Sequence, residues 1–179
     1  RVKKVCHRFW KSEMLTGKLD RGGEMIRTVL VANRGEIACR ILRACSEAGL
    51  TSVAVYADND AGSMFTELAT IAVPLEGDTI TETYLNQEQI LAIAGAHNVD
   101  AIHPGFGFLS ERADFAQAVT DAGINWIGPS PQAIEMMGDK IQAKKIAKEN
   151  GLPIIEGSEG GVKNVTDAKN LSKKIGFPV

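Results

Sequence analysis

From Met25 onward the chain switches regularly between a two-residue and a 3.6-residue apolar period, and that alternation most narrows the folds open to it. Residues 27–32 and 52–57 read as apolar strands, and Glu36–Ala48 between them carries Ile37, Ile41 and Cys45 on one helical face. Gly49 stands where a helix is closed by a left-handed residue. A short helix over 63–69 and a strand over 70–73 ending at Pro74 come next, then Glu82–Asn98 with Leu85, Ile90, Ile93 and Ala94 near helical spacing. The strand Asp100–His103, a helix from about Glu111 to Ala122 stopped by Gly123, and the strand Asn125–Ile127 complete the series. Strands alternating with helices predict an α/β fold: a Rossmann-like parallel sheet with helices on both faces.

The first βα turn, in Val31-Ala32-Asn33-Arg34-Gly35-Glu36, lies where such folds hold a nucleotide phosphate. Gly35 stands alone there, without the three-glycine spacing, so dinucleotide binding is not predicted. Arg34, Arg40 and Arg43 with Glu36 and Glu47 form a charged face on the following helix. Glu36–Arg40 and Arg43–Glu47 have the spacing of helical ion pairs, and the same face suits a subunit contact.

Two further stretches carry chemistry. In Ala101-Ile102-His103-Pro104-Gly105-Phe106-Gly107-Phe108-Leu109-Ser110-Glu111 a strand end runs into a loop with two glycines. Ligands of open α/β sheets bind beyond the carboxyl ends of the strands, and glycine lets backbone approach them closely. Ser110 is the predicted N-cap of the next helix, with Glu111 in its first turn. The plainer alternative is a tight turn with Phe106 and Phe108 packed in the core. At Met137-Gly138-Asp139-Lys140, two helices (131–137 and 139–150) meet at Gly138, and Lys140 falls in the first turn of the second. A cation there opposes the helix dipole, so a nearby anion such as phosphate would account for it. Lys144 and Lys148 continue that stripe as solvated residues.

Beyond 150 come a loop with Gly157, Gly160 and Gly161, a helix over 166–175, and Gly176–Val179, which reads as the opening of another strand. A chain stopping there is expected to be cut rather than complete. Residues 1–24 are basic and lack a sustained period, with one Ser and three acidic residues. They fit neither a secretory signal nor a transit peptide. Met25 is expected to be the true start, with residues 1–24 upstream sequence translated in frame, Arg21–Glu24 being encodable by a purine-rich ribosome-binding tract.

The remaining features exclude more than they assign. A net charge of −2 and a pI near 6.0 argue against a nucleic-acid or membrane-surface partner. No apolar run approaches the roughly 18 residues of a membrane span. The three cysteines (Cys6, Cys39, Cys45) include no C-x-x-C pair. Cys39 and Cys45 are expected on different sides of their helix, with Cys45 in the core and the chain in a reducing compartment. His7, His97 and His103 are scattered, and no metal site is predicted. No hydrolase nucleophile elbow, Walker A loop or zinc-protease motif occurs.

Taken together, the stretches VLVANRGEIACRILRA, ETYLN, AIHPGFGFLSE, WIGPSPQAIEMMGDK and GFPV closely resemble, in order, the N-terminal part of biotin carboxylase. This is the ATP-grasp component of the biotin-dependent carboxylases. The likeness runs from Met25 to Val179, and residues 1–24 match nothing in that family. It implies a Rossmann-like domain over 25–137 and the start of an ATP-grasp domain over 138–179. It also implies a reaction in which ATP and bicarbonate form carboxyphosphate, whose carboxyl passes to N1 of carrier-bound biotin, with Mg²⁺ bridging the phosphates.

By the same resemblance Lys140 binds ATP, and the loop bearing Gly105, Phe106, Gly107 and Glu111 faces biotin and bicarbonate. Arg40, Arg43 and Glu47 match a homodimer interface, which makes the first turn scaffold rather than cradle. The family usually has Tyr where this chain has Phe106, so a hydroxyl contact is lost. The implied partners are a biotin carboxyl carrier protein and a carboxyltransferase subunit or domain. The family's second ATP lysine, glycine-rich lid, metal carboxylates and catalytic base and arginine follow the position of Val179, so no catalytic residue falls in this segment and it is expected to be inactive alone. The alternatives are another ATP-grasp ligase, such as a carbamoyl-phosphate synthetase or a purine-pathway carboxylase, and a non-catalytic binding module. The final acceptor stays open among acetyl-CoA, propionyl-CoA, methylcrotonyl-CoA, pyruvate and urea. The expected compartment is a bacterial cytoplasm, with the mitochondrial matrix second.

Overall fold

A computed structural model describes residues 25–138, 140–154, 162 and 164–176. The chain divides between Pro131 and Gln132 into two compact units.

The first unit is built on five parallel strands: β1 (Thr28–Val31), β2 (Thr51–Tyr56), β3 (Ile71–Pro74), β4 (Ala101–His103) and β5 (Asn125–Trp126). Their order across the sheet is β3-β2-β1-β4-β5, with β1 in the centre. Leu30 stands beside Val53 on one side and Ile102 on the other. Alternate residues serve opposite faces. Val29, Val31, Ala54 and Ala101 pack under α1 (Gly35–Glu47) and α2 (Met64–Leu68), through Ala38, Cys39, Ile41, Leu42, Cys45 and Phe65. Leu30, Val53, Val55 and Ile102 pack against α3 (Gln87–Ala96) and α4 (Ala113–Asp121), through Ile90, Ala94, Phe115 and Val119. A sheet covered on both faces needs apolar residues at every position, which is why β1 and β2 read as unbroken apolar runs. The expected architecture is therefore the one found.

Helix ends explain how each crossover turns back into a strand. At the end of α1 the amide of Gly49 donates to Ser46 O and that of Leu50 to Cys45 O. Asn98–Val99 repeats the pattern after α3, and Gly123–Ile124 after α4. Each closing residue is left-handed, with φ of 70°, 48° and 76° at Gly49, Asn98 and Gly123. Each is followed by an apolar residue leading into the next strand, as the Schellman closure favours.

Several local expectations are corrected. The helix predicted from Glu82 begins at Gln87, capped by Asn86, whose side chain accepts from the Gln89 amide. Residues 78–85 instead form a turn around the Glu82 carboxylate, which accepts from the amides of Asp78 and Thr79 and from the Thr79 hydroxyl. Ser110 does not cap α4. Residues Phe108–Glu111, Glu111 included, form a separate 3₁₀ turn, and α4 starts at Ala113 without a side-chain cap. Cys39 and Cys45 both enter the core cluster beneath α1, because the face buried by the sheet and α2 is wide enough to take both.

In the second unit α5 (Pro131–Gly138) straddles the division, followed by α6 (Lys140–Glu149) and α7 (Val165–Ile175). Asn164 caps α7 by accepting from the Asp167 amide at 2.9 Å. The expected glycine loop at 157–161, the strand opening at 177–179, and the leader 1–24 lie outside the described residues. No helix among the described residues is long and apolar enough to cross a membrane.

Candidate functional site

The strand order reverses between β1 and β4: the chain leaves β1 toward β2 and β3, then returns to the other side of β1 as β4. Such a switch point opens a crevice at the carboxyl ends of the two strands, where ligands of open α/β sheets bind. The turn after β1 and the loop after β4 meet there.

Asn33 joins them. It is buried, and its Nδ2 donates to Pro104 O at 2.7 Å and to Phe106 O at 2.9 Å. Its Oδ1 accepts the Arg34 amide at 2.9 Å. A primary amide has both donors and an acceptor, so one buried side chain satisfies three backbone groups. Gly105 lies directly on it: a Cβ there would stand 2.7 Å from Nδ2 and 2.9 Å from the Asn33 Cβ. With φ of 69°, Gly105 also uses a left-handed conformation that its missing side chain permits. The single-glycine turn after β1 thus serves as a support for the loop after β4.

The loop is fixed at two more places. The Gly105 amide donates to His103 Nδ1 at 3.0 Å, which assigns the ring proton of neutral His103 to Nε2. Leu109, fully buried, anchors the far end. Between these points the amides of Phe106 and Gly107 bond no group among the described residues. Phe106 is 62% exposed at the tip, which corrects the expectation of core packing for this ring. Phe108 is partly buried and stacks on Tyr84.

Burial lowers the pKa of His103, and the charge of Arg40 lowers it further. A base whose folded pKa is depressed contributes stability that is complete above its unfolded value, about 6.5, and lost as pH falls below it. We therefore expect the His103 ring signal to titrate below 6.5 and the urea midpoint to drop between pH 7.5 and 5.5. Titration of His103 at or above 6.5 would contradict the neutral acceptor assigned here.

Behind the loop lies a set of charged groups the sequence reading missed. Arg34 Nε donates to Asp60 Oδ2 at 2.7 Å, and Nη2 of the same guanidinium donates to Oδ1. The Tyr84 hydroxyl donates to Asp60 Oδ2 at 2.6 Å and accepts the Ala57 amide at 3.1 Å. The Arg34 guanidinium holds the Asp60 carboxyl below the usual carboxylate range, and burial pushes the Tyr84 phenol well up. The sequence sets Arg34 with the charged face of α1, yet its side chain reaches to the 3₁₀ turn after β2. No local signal singles out the other two: Asp60 lies in the polar run Asp58-Asn59-Asp60 and Tyr84 follows Thr81-Glu82-Thr83, at separations that pattern alone does not connect.

The other anticipated positions are spread out. Arg40, Arg43 and Glu47 are exposed along α1, and Arg43 Nη2 lies 3.5 Å from Met64 Sδ. Neither expected helix pair closes: among the described residues the ion pairs are Arg34–Asp60 and Arg112–Asp114. Glu111 is exposed at the end of its 3₁₀ turn. Lys140 is the first residue of α6, and its side chain lies outside the described residues. Among the described residues no three His, Cys, Asp or Glu side chains come together as metal ligands.

Comparison with known proteins gives this arrangement a family. The profile of the biotin carboxylase N-terminal domain matches residues 25–134. Mitochondrial pyruvate carboxylase of Homo sapiens is 46% identical over 155 residues, covering 86% of this chain and 13% of that protein. Biotin carboxylase 1 of Bacillus subtilis is 43% identical over 155 residues, covering 87% of this chain and 34% of that protein. The biotin carboxylase domain of Hydrogenobacter thermophilus 2-oxoglutarate carboxylase, solved as a dimer with MgADP, ADP and bicarbonate, superposes with a TM-score of 0.80 at 44% identity. That match covers 87% of this chain and 34% of the solved one. The chain thus spans about a third or less of the length of these relatives.

Proposed function

This chain belongs to the biotin carboxylase N-terminal domain family, and from that premise we propose that it forms the first part of an ATP-dependent biotin carboxylase. In this reading ATP and bicarbonate yield carboxyphosphate, and the carboxyl group passes to N1 of biotin on a carrier protein. The observation that carries it is the Gly105–Gly107 loop, held by Asn33 at the switch point of the sheet. A related domain has been solved with bicarbonate bound, which supports assigning the loop to the bicarbonate and biotin side.

Each residue then has a stated task. The amides of Phe106 and Gly107 present donors to an anionic or carbonyl oxygen, and the exposed Phe106 ring offers an apolar surface for biotin without a hydroxyl. Glu111 sits at the loop's far end. Lys140, opening α6, supplies a cation at a helix start, a donor set suited to a nucleotide phosphate. Mg²⁺ would neutralise phosphate charge. The described residues do not fit a magnesium site by themselves.

Arg40, Arg43 and Glu47 on α1 are assigned to a homodimer interface, consistent with the dimer of the solved relative. The partners in this reading are a biotin carboxyl carrier protein and a carboxyltransferase subunit or domain. The final acceptor is one of acetyl-CoA, propionyl-CoA, methylcrotonyl-CoA, pyruvate or urea. A bacterial cytoplasm is the favoured compartment; a mitochondrial relative supports the matrix as the alternative.

A hybrid enzyme tests the reading. Residues 25–179 replace their counterpart in the Bacillus subtilis relative, and ADP release is followed. Release that requires both bicarbonate and biotin is expected. A folded hybrid that hydrolyses ATP without regard to biotin would refute the assignment. The 179-residue chain alone is expected to release no ADP, and biotin-dependent turnover by it would contradict that.

A further inference from the structure

The cleft loop has an anchor that the functional reading does not use. Phe108, just past the glycines, has φ of 48°. Left-handed backbone is disfavoured for a bulky side chain and persists only where the surroundings impose it. Here the surroundings are the Tyr84 ring, stacked on Phe108 with centroids 5.4 Å apart and planes 16° from parallel. Tyr84 is 3% exposed and cannot swing, because its hydroxyl both donates to Asp60 and accepts the Ala57 amide. Asp60 is held in turn by the Arg34 guanidinium from the turn after β1. The turns after β1 and β2, the turn before α3, and the loop after β4 therefore converge on one carboxylate and one ring.

An apolar residue at position 84 would fill the same core space but leave the far end of the side chain untethered. The hydroxyl, bonded to Asp60 and to the Ala57 amide, fixes the axis of the ring on which Phe108 stacks. We propose that Tyr84 is a positioning residue for the Gly105–Phe108 loop: oriented by Asp60, it holds Phe108 left-handed and so determines where the exposed Phe106 stands at the crevice. The consequence for biotin rests on the biotin carboxylase reading, whereas the positioning itself does not.

Nitrogen-15 relaxation on the 179-residue chain tests it. In the wild type the order parameters of Gly105, Phe106 and Gly107 should be about 0.85, the rigid-backbone value. Phe108→Leu keeps apolar volume and removes the stack; Tyr84→Phe keeps the ring and removes its orienting hydroxyl. The loop values should fall below about 0.6 in Phe108→Leu and to an intermediate level in Tyr84→Phe. Val29–Val31 and Ala101–His103 should keep their wild-type values. A loop that stays rigid, or one that loosens only together with the strands, overturns the proposal. Should Tyr84→Phe fail to fold, Phe108→Leu decides alone.

In the hybrid enzyme, Phe108→Leu should raise the KM for biotin about fivefold or more and leave that for ATP unchanged. If the wild-type hybrid shows no biotin-dependent turnover, the functional reading falls while the relaxation result still decides the positioning. A loosened loop with an unmoved biotin KM in a working hybrid supports the positioning and removes the loop from the biotin side.

Discussion

Asn33→Asp should destabilise the protein by about 3–5 kcal/mol at neutral pH, the scale of an uncompensated buried charge. The substitution changes a single atom, replacing an N–H₂ donor with a carboxylate oxygen. That oxygen would face Pro104 O and Phe106 O, which the amide now meets at 2.7 and 2.9 Å, in a residue only 3% exposed. Both donors are lost and two like-signed contacts appear. The protein answers such a conflict by raising the carboxyl pKa. An acid whose folded pKa is raised binds protons more tightly when folded, so stability falls as pH rises through the titration. The penalty of Asn33→Asp should therefore shrink on acidification, in contrast to the wild type, where His103 makes stability fall below pH about 6.5. Asn33→Ala, which removes the partner without adding charge, should cost about 1–3 kcal/mol at any pH. Urea midpoints measured across pH separate these cases. A cost below about 0.5 kcal/mol for Asn33→Asp, the range of ordinary surface changes, would mean that Asn33 does not hold the loop.

Gly105→Ala should cost at least about 3 kcal/mol, from two sources. Left-handed backbone costs a residue with Cβ roughly 1–2 kcal/mol. The rest is steric, since the new Cβ would stand 2.7 to 2.9 Å from three atoms of Asn33. Those atoms cannot retreat without breaking two hydrogen bonds, so the clash is not relieved by a flexible side chain. Gly49→Ala is the control: its φ of 70° carries a similar left-handed cost, but nothing lies within 4 Å of its added Cβ. Gly105→Ala should exceed Gly49→Ala by about 1 kcal/mol or more, an overpacking cost. The double variant with Asn33→Ala should cost less than the sum of the singles, because truncating Asn33 makes room for the methyl group. Equal costs for the two glycines, or strict additivity, would contradict the contact.

The legible and illegible parts of this fold separate by distance along the chain. Strands β1 and β2 announced themselves because a sheet buried on both faces leaves no polar position, and Gly49 and Gly123 marked helix ends through local backbone geometry. Each of those signals lies within one element. The start of α3 was misplaced because Leu85 fits a helical period, while the Glu82 side chain closes a turn over Asp78 and Thr79 instead. Ser110 had the chemistry of a cap, but the preceding left-handed Phe108 sends the chain into a 3₁₀ turn first.

At the candidate site, the loop itself was visible from its glycines and its place after a strand. What holds it was not. Asn33 meets Pro104 and Phe106 across 71 and 73 residues, and Arg34 meets Asp60 across 26. Nothing in a local pattern distinguishes an asparagine that caps a turn from one that supports a distant loop. The same limit explains Phe106: two phenylalanines two residues apart look alike in sequence, yet one stacks on Tyr84 and the other stands 62% exposed. The resemblance to biotin carboxylase identified the family, and the hydrogen bonds of Asn33 show which loop its first turn supports.

A crystal structure of the hybrid enzyme with biotin and bicarbonate bound tests the account most directly. Biotin is expected against the Phe106 ring, with bicarbonate in the same cleft and the Asn33 bonds to Pro104 and Phe106 intact. Biotin bound away from the Gly105–Phe108 loop, with Phe106 facing only solvent, would contradict it.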